Sequence, residues 1–146
     1  PLIAVGSLDA LTEVAREDYE AGILSVSDWD RALLCPMVDA RRMEVYAQVF
    51  DAEGRPQNEV TAEVIDAGSF REFREQGRPF VIFGSGARKC AEVLAGAEFV
   101  EVAPSARGLA RLAQQALDEG RTEDIAYFEP FYLKDFVVTT SKKSLF

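Results

Sequence analysis

With 146 residues, 48% of them hydrophobic and 28% charged, the chain can bury a real core as one domain, or as one lobe with trailing pieces. No apolar run approaches the roughly 20 residues of a membrane helix, so a cytoplasmic protein without a membrane partner is expected. A net charge of −9 argues against this chain gripping a phosphate backbone by itself, and Lys142-Lys143 is the best basic pair it offers.

The absence of histidine removes Ser-His-Asp and Cys-His nucleophilic sites and any zinc or iron site built on imidazole. Cys35 and Cys90 have no metal-ligand spacing and read as buried, reduced thiols. Neither a catalytic residue nor a metal site is therefore expected.

In chain order, residues 2–5 read as a short strand already under way, without the basic flank of a signal peptide. The expectation is a fragment whose N-terminal half is missing. Gly6 breaks the strand. Ser7 is placed to cap a helix reaching about Glu17 or Tyr19, with Leu8, Leu11, Val14 and Ala15 on one face. Asp28-Trp29-Asp30-Arg31 can make a single helical turn, and Trp29 reads as a core cap.

Residues 33–38 are apolar without a break, as befits a strand buried on both faces. Asp39-Ala40-Arg41-Arg42 turns the chain back into strict alternation, with Met43, Val45, Ala47 and Val49 opposite Glu44, Tyr46, Gln48 and Phe50. A turn at 51–56 leads to a third antiparallel strand at 59–65. Ser69 and Glu72 have capping-box spacing for a helix at 70–76 that Gly77 stops.

A buried strand at 79–83, a Gly84-Ser85-Gly86 loop, a helix at 87–95 and a strand at 98–102 follow. The helix opened by Pro104-Ser105 has Leu109, Leu112, Ala113, Ala116 and Leu117 as its apolar stripe, expected to cover the sheet, and Gly120 as its stop. Three antiparallel strands, then parallel strands alternating with helices, is the element order of an α/β, ribonuclease-H-like lobe. The expected mixed five-stranded sheet has the order third, second, first, fourth, fifth, counted from Leu33. The domains expected are 1–31 as the end of a first lobe and an interlobe helix, 32–126 as the second lobe, and 127–146 as a tail, either strapped across the domain by aromatic burial or touching a partner or the missing lobe.

Two stretches could carry chemistry. Asp39, at the C-terminal end of the central strand, could hold magnesium in a nuclease or phosphotransferase if Glu44 and Asp66 converged on it. The structural reading has it cap the turn and pair with Arg41 or Arg42. Gly84, Ser85 and Gly86 could turn backbone amides toward a phosphate, and they are the cofactor-binding candidates, although the loop has no P-loop lysine. ATP with magnesium is the cofactor such a loop would take; a tight strand-to-helix turn accounts for it fully. Ser7 and Ser85 have no histidine base, and Lys89 lies one helical turn beyond the loop.

Asp39-Ala40-Arg41-Arg42 with Glu44-Val45-Tyr46, residues 1–11, and Glu129-Pro130-Phe131-Tyr132-Leu133-Lys134 together resemble the TsaB (formerly YeaZ) family. The last stretch is similar to that family's Pro-x-Tyr-Leu-Arg signature, with lysine for arginine. These proteins were once described as glycoproteases and belong to the actin-like, sugar-kinase-like superfamily. The resemblance implies a non-catalytic scaffold subunit for threonylcarbamoyladenosine modification of tRNA, here as a C-terminal lobe. Its implied partners are a catalytic TsaD-type paralogue, a small TsaE-type ATPase, and tRNA through the complex, with homodimerisation through the first lobe. The alternatives are a nucleotide-binding phosphotransferase-like protein of the same superfamily and a peptidase, against which the missing histidines speak.

Overall fold

Strand β1 (Leu33–Asp39) is the centre of the computed structural model, which describes residues 1–131 and Leu133. On one side it pairs antiparallel with β2 (Glu44–Ala47) and β3 (Phe50–Asp51), and on the other parallel with β5 (Phe80–Phe83). Strand β4 (Thr61–Val64) extends the antiparallel half beyond β2, and β6 (Glu98–Phe99) extends the parallel half beyond β5. The order β4-β2-β1-β5-β6 is the one expected from the hydrophobic patterns.

Six strands stand where five were expected, because the row beside β1 is split into β2 and β3. The cause lies on the neighbouring strand. Met37 pairs with Ala47 and Leu34 with Phe50, so one register runs through both halves and sets Pro36 opposite Gln48. Val49 donates its N–H to Asn58 Oδ1 and accepts at its carbonyl from Gln57, so its backbone faces away from β1. The backbone of Gln48 therefore faces β1, where Pro36 has no N–H to offer. The ladder is interrupted at that pair and resumes at Phe50.

The pleat sorts the core into two layers. Leu33, Cys35, Met37, Val45, Ala47, Val49 and Ile82 share one face, against which Phe70, Phe73 and the 87–94 segment pack. Leu34, Phe50, Val81 and Phe83 share the other, covered by Leu8, Leu11, Val14 and Ala15 of helix α1 (Ser7–Glu20). Full burial of each large side chain is worth about 1.5–3 kcal/mol over exposure. Trp29, in the turn Trp29–Arg31, stacks on Tyr19 at 4.1 Å between ring centroids and closes this layer.

Several expectations are corrected. Residues 2–5 form no strand among the described residues; Leu2 makes an isolated bridge, accepting at its carbonyl from Glu123 N–H at 2.8 Å. Gly6, not Ser7, precedes the first turn of α1, and no side chain caps it. Ser69 Oγ accepts from the N–H of Asp66 at 2.9 Å, so the capping box does not form and α2 (Arg71–Arg74) is a single turn. Residues 87–95 are consecutive turns around a 3₁₀ turn at Arg88–Cys90, because Cys90 and Ala91 bond back three residues rather than four.

Helix α3 (Arg107–Asp118) does not cover the sheet. Helix α1 already occupies that face, and α3 lies on α1 instead. Gly108 makes this approach feasible: a Cβ there would stand 2.8 Å from Val14 Cγ2 and closer still to the Ala10 carbonyl oxygen. Arg107 pairs with Asp18 and Arg111 with Glu13, both carboxylates almost fully buried. Leu109 and Leu117 are consequently 42% and 44% exposed. The tail reading is corrected too: Tyr127 and Phe131, at 83% and 76% exposed, are not buried rings. Tyr132, Lys134 and residues 135–146, with Lys142-Lys143, lie outside the described residues.

Candidate functional site

The C-terminal ends of β1 and β5 bring Asp39 and the Gly84-Ser85-Gly86 loop together. The N–H of Gly86 donates to the Met37 carbonyl at 2.9 Å, and Ser85 Oγ accepts from the N–H of Asp39 at 3.0 Å. A Cβ on Gly86 would stand 2.7 Å from Val45 Cγ1 and 3.1 Å from Asp39 N, and Gly84 has φ +103°. Glycine is needed at both positions, one for close approach and one for its left-handed backbone. One amide of the candidate phosphate loop and its hydroxyl are thus engaged with β1.

Asp39 pairs with Lys89, not with Arg41 or Arg42, which corrects the expected ion pair. Lys89 reaches it from the 3₁₀ turn and also donates to the Glu44 carbonyl at 2.9 Å. The Lys89 ammonium donating to its carboxylate, with the N–H of Arg41 behind it, holds the exposed Asp39 carboxyl below the ordinary carboxylate range. Asp66 instead closes its own turn by accepting from Gly68 N–H at 2.8 Å. Among the described residues, no three His, Cys, Asp or Glu side chains gather as they would to hold a metal ion. Burial pushes both thiols up, Cys35 furthest, with Cys90 and Glu63 adding to it. They sit in one core layer as free cysteines.

A second place has the shape of a binding site. A groove of about 600 Å³ runs over the antiparallel half of the sheet, between the start of α1 and residues 128–131 with Leu133. Val38, Tyr46, Gln48 and Val60 form its floor, with Ser7, Leu8 and Asp9 on one wall and Phe128 and Phe131 on the other. Its size and mostly apolar lining with a few polar groups suit a small ligand or a peptide segment. Burial raises the Asp9 carboxyl, and its own backbone N–H partly offsets this. The alternation of 43–50 foretold a wetter face at Tyr46 and Gln48, but nothing in the sequence brings the start of α1 across from it.

The class of molecule is therefore a mixed α/β protein, a six-stranded sheet flanked by helices, and no helix among its described residues is long and apolar enough to cross a membrane. No family model matches the chain, and no curated protein matches it either. Among solved structures it is similar to the "crystal structure of an uncharacterized protein with similarity to peptidase YEAZ from Pseudomonas aeruginosa", with a TM-score of 0.63 and 20% identity. The match covers 92% of this chain and 59% of that one, so the chain spans less than two thirds of that protein's length. Likeness at this identity is one of fold: the chain has a YeaZ-like fold.

Proposed function

We propose that the chain is the C-terminal, ribonuclease-H-like lobe of a TsaB-type scaffold, a subunit without chemistry of its own in the complex that places threonylcarbamoyl on adenosine of tRNA. The observation that carries the reading is the Asp39–Lys89 pair. In a phosphotransferase of this architecture, the carboxylate ending the central strand would face a metal or a nucleophile. Here an ammonium occupies it, itself anchored on the Glu44 carbonyl. The loop beside it is stitched to β1 through Gly86 and Ser85, as expected of a part that holds shape.

The YeaZ-like fold and the residues that resemble the TsaB family support the reading, as does a sequence without histidine. The partners are a TsaD-type catalytic subunit and a TsaE-type ATPase, with tRNA engaged through the complex in the cytoplasm. Co-purification tests it. The full-length protein, tagged, should retain the TsaD-type subunit of the same cell through a gel-filtration column, this lobe alone should retain it far less, and full-length Asp39→Asn should retain it equally. Failure of the unsubstituted full-length protein to retain that subunit would overturn the assignment.

A further inference from the structure

We infer that Arg71, Arg74 and Arg78 form an anion site that takes a phosphate group. They line a hollow of about 280 Å³ at the edge of the parallel half, beside Phe80 and Gly96. Glu75 is the carboxylate on its wall, so the hollow is cationic within a chain whose net charge is −9.

The base of the site is fixed. Arg74 Nη1 donates to the carbonyls of Ala67 and Ser69 at 2.8 and 3.3 Å, and Nη2 to that of Ala95 at 2.8 Å. These bonds tie α2 to the turn before β6 and use three of the five donors of a guanidinium. Arg78 is held likewise, with Nε on the Arg31 carbonyl at 2.7 Å and Nη1 on Gln76 Oε1 at 3.3 Å. All of these acceptors are neutral, so the bonds orient both side chains and leave their charge uncompensated. Arg71 is mostly exposed, and its ion pair with Glu75 spans 3.8 Å between two solvated side chains, a weak restraint.

Three guanidiniums with donors to spare, two of them immobilised, suit the tetrahedral oxygens of a phosphate, which they can meet bidentately. The two fixed arginines lose little entropy on binding. The group can come from free phosphate or from the backbone of a nucleic acid, and the inference stands independently of the scaffold reading.

The test reads the arginine Nε–H signals by NMR while inorganic phosphate is added at constant ionic strength against chloride, using the intact protein. Saturable shifts at Arg71 and Arg78 are expected. Arg71→Gln and Arg78→Gln should each weaken binding about tenfold, the loss of one charge-assisted contact. Both variants keep the three carbonyl bonds of Arg74, and a melt within a few degrees of the parent shows that the fold is kept. A second arm titrates a short RNA duplex. If the RNA backbone is the source, Arg71→Gln lowers the slope of log K against log salt by roughly one. If free phosphate is the source, phosphate binds and the RNA does not. Shifts no larger than those with chloride, or phosphate binding unchanged in both variants, would overturn the inference.

Discussion

Gly108→Ala sets two effects of opposite sign against each other. In an exposed helix, alanine for glycine stabilises by about 1 kcal/mol, less near an end, and Gly108 is the second residue of α3. Against this, the new Cβ would stand 2.8 Å from Val14 Cγ2 and 3.1 Å from the Ala10 carbonyl carbon. Val14 is fully buried and Ala10 is backbone of α1, so neither can swing aside. Helix α3 must lift, an overpacking cost of about 1–3 kcal/mol. The lift also draws Arg107 from Asp18 and Arg111 from Glu13, and unpairing a buried carboxylate costs roughly 3–5 kcal/mol when complete. Glu13 keeps Arg16, so only part of that is lost. The expected net is destabilisation by about 2–3 kcal/mol, or a Tm lowered by roughly 4–12 °C. Thermal and urea melts check it, with Ala110→Gly on the exposed side of α3 as the propensity control. A Gly108→Ala protein that melts higher than the parent would refute the packing of α3 on α1.

Ile82→Ala, at a fully buried position of β5, should cost about 2–5 kcal/mol, whereas Asp39→Asn should leave the urea midpoint nearly unchanged. Equal small shifts would mean that the sheet centre is misplaced. Asp51 predicts an acid limb of stability. Burial opposes its charge, but Arg55 N–H at 2.9 Å, the Arg55 guanidinium at 2.8 Å and Glu53 N–H at 3.0 Å outweigh that and lower its pKa. With the folded pKa below the unfolded value of about 3.9, its stabilisation is present above that value and is lost as pH falls through the folded pKa. Asp51→Asn should therefore narrow the gap to the parent in melts taken below about pH 4, and a gap constant with pH would contradict this. Cys35 and Cys90 should ignore an aromatic disulfide reagent in the native state and both react in denaturant; rapid native reaction would place a thiol at the surface.

The sheet was legible because its signals are local. Residues 33–38 are apolar throughout, 43–50 and 59–65 alternate, and chain direction follows from hairpins and crossovers. The split of the second row was not legible from its own residues, since Pro36 sits on the strand beside it. The 87–95 segment has Cys90 and Leu94 at helical spacing, yet Ala87 and Cys90 are three apart and bond as a tighter turn. The stripe on α3 was visible, but whether it met the sheet depended on α1 having taken that face. Asp39 was placed correctly at the strand end, while its partner Lys89 comes from a turn 50 residues away. Arg71 and Arg74 are grouped by their spacing on α2, but Arg78 lies beyond that single turn, so no periodicity in the sequence joins it to them.

Rebuilding tRNA modification from purified parts decides whether the protein is a scaffold without chemistry of its own. The protein, the TsaD-type subunit and the TsaE-type ATPase of the same cell would be combined with unmodified tRNA, ATP and the threonylcarbamoyl donor, and threonylcarbamoyladenosine measured by mass spectrometry of nucleosides. Omitting the protein should abolish the product, and Asp39→Asn and Ser85→Ala should leave complex assembly intact and restore the product at the parent rate. Product formed at full rate without the protein, or an assembled complex inactivated by Asp39→Asn, would contradict the scaffold reading.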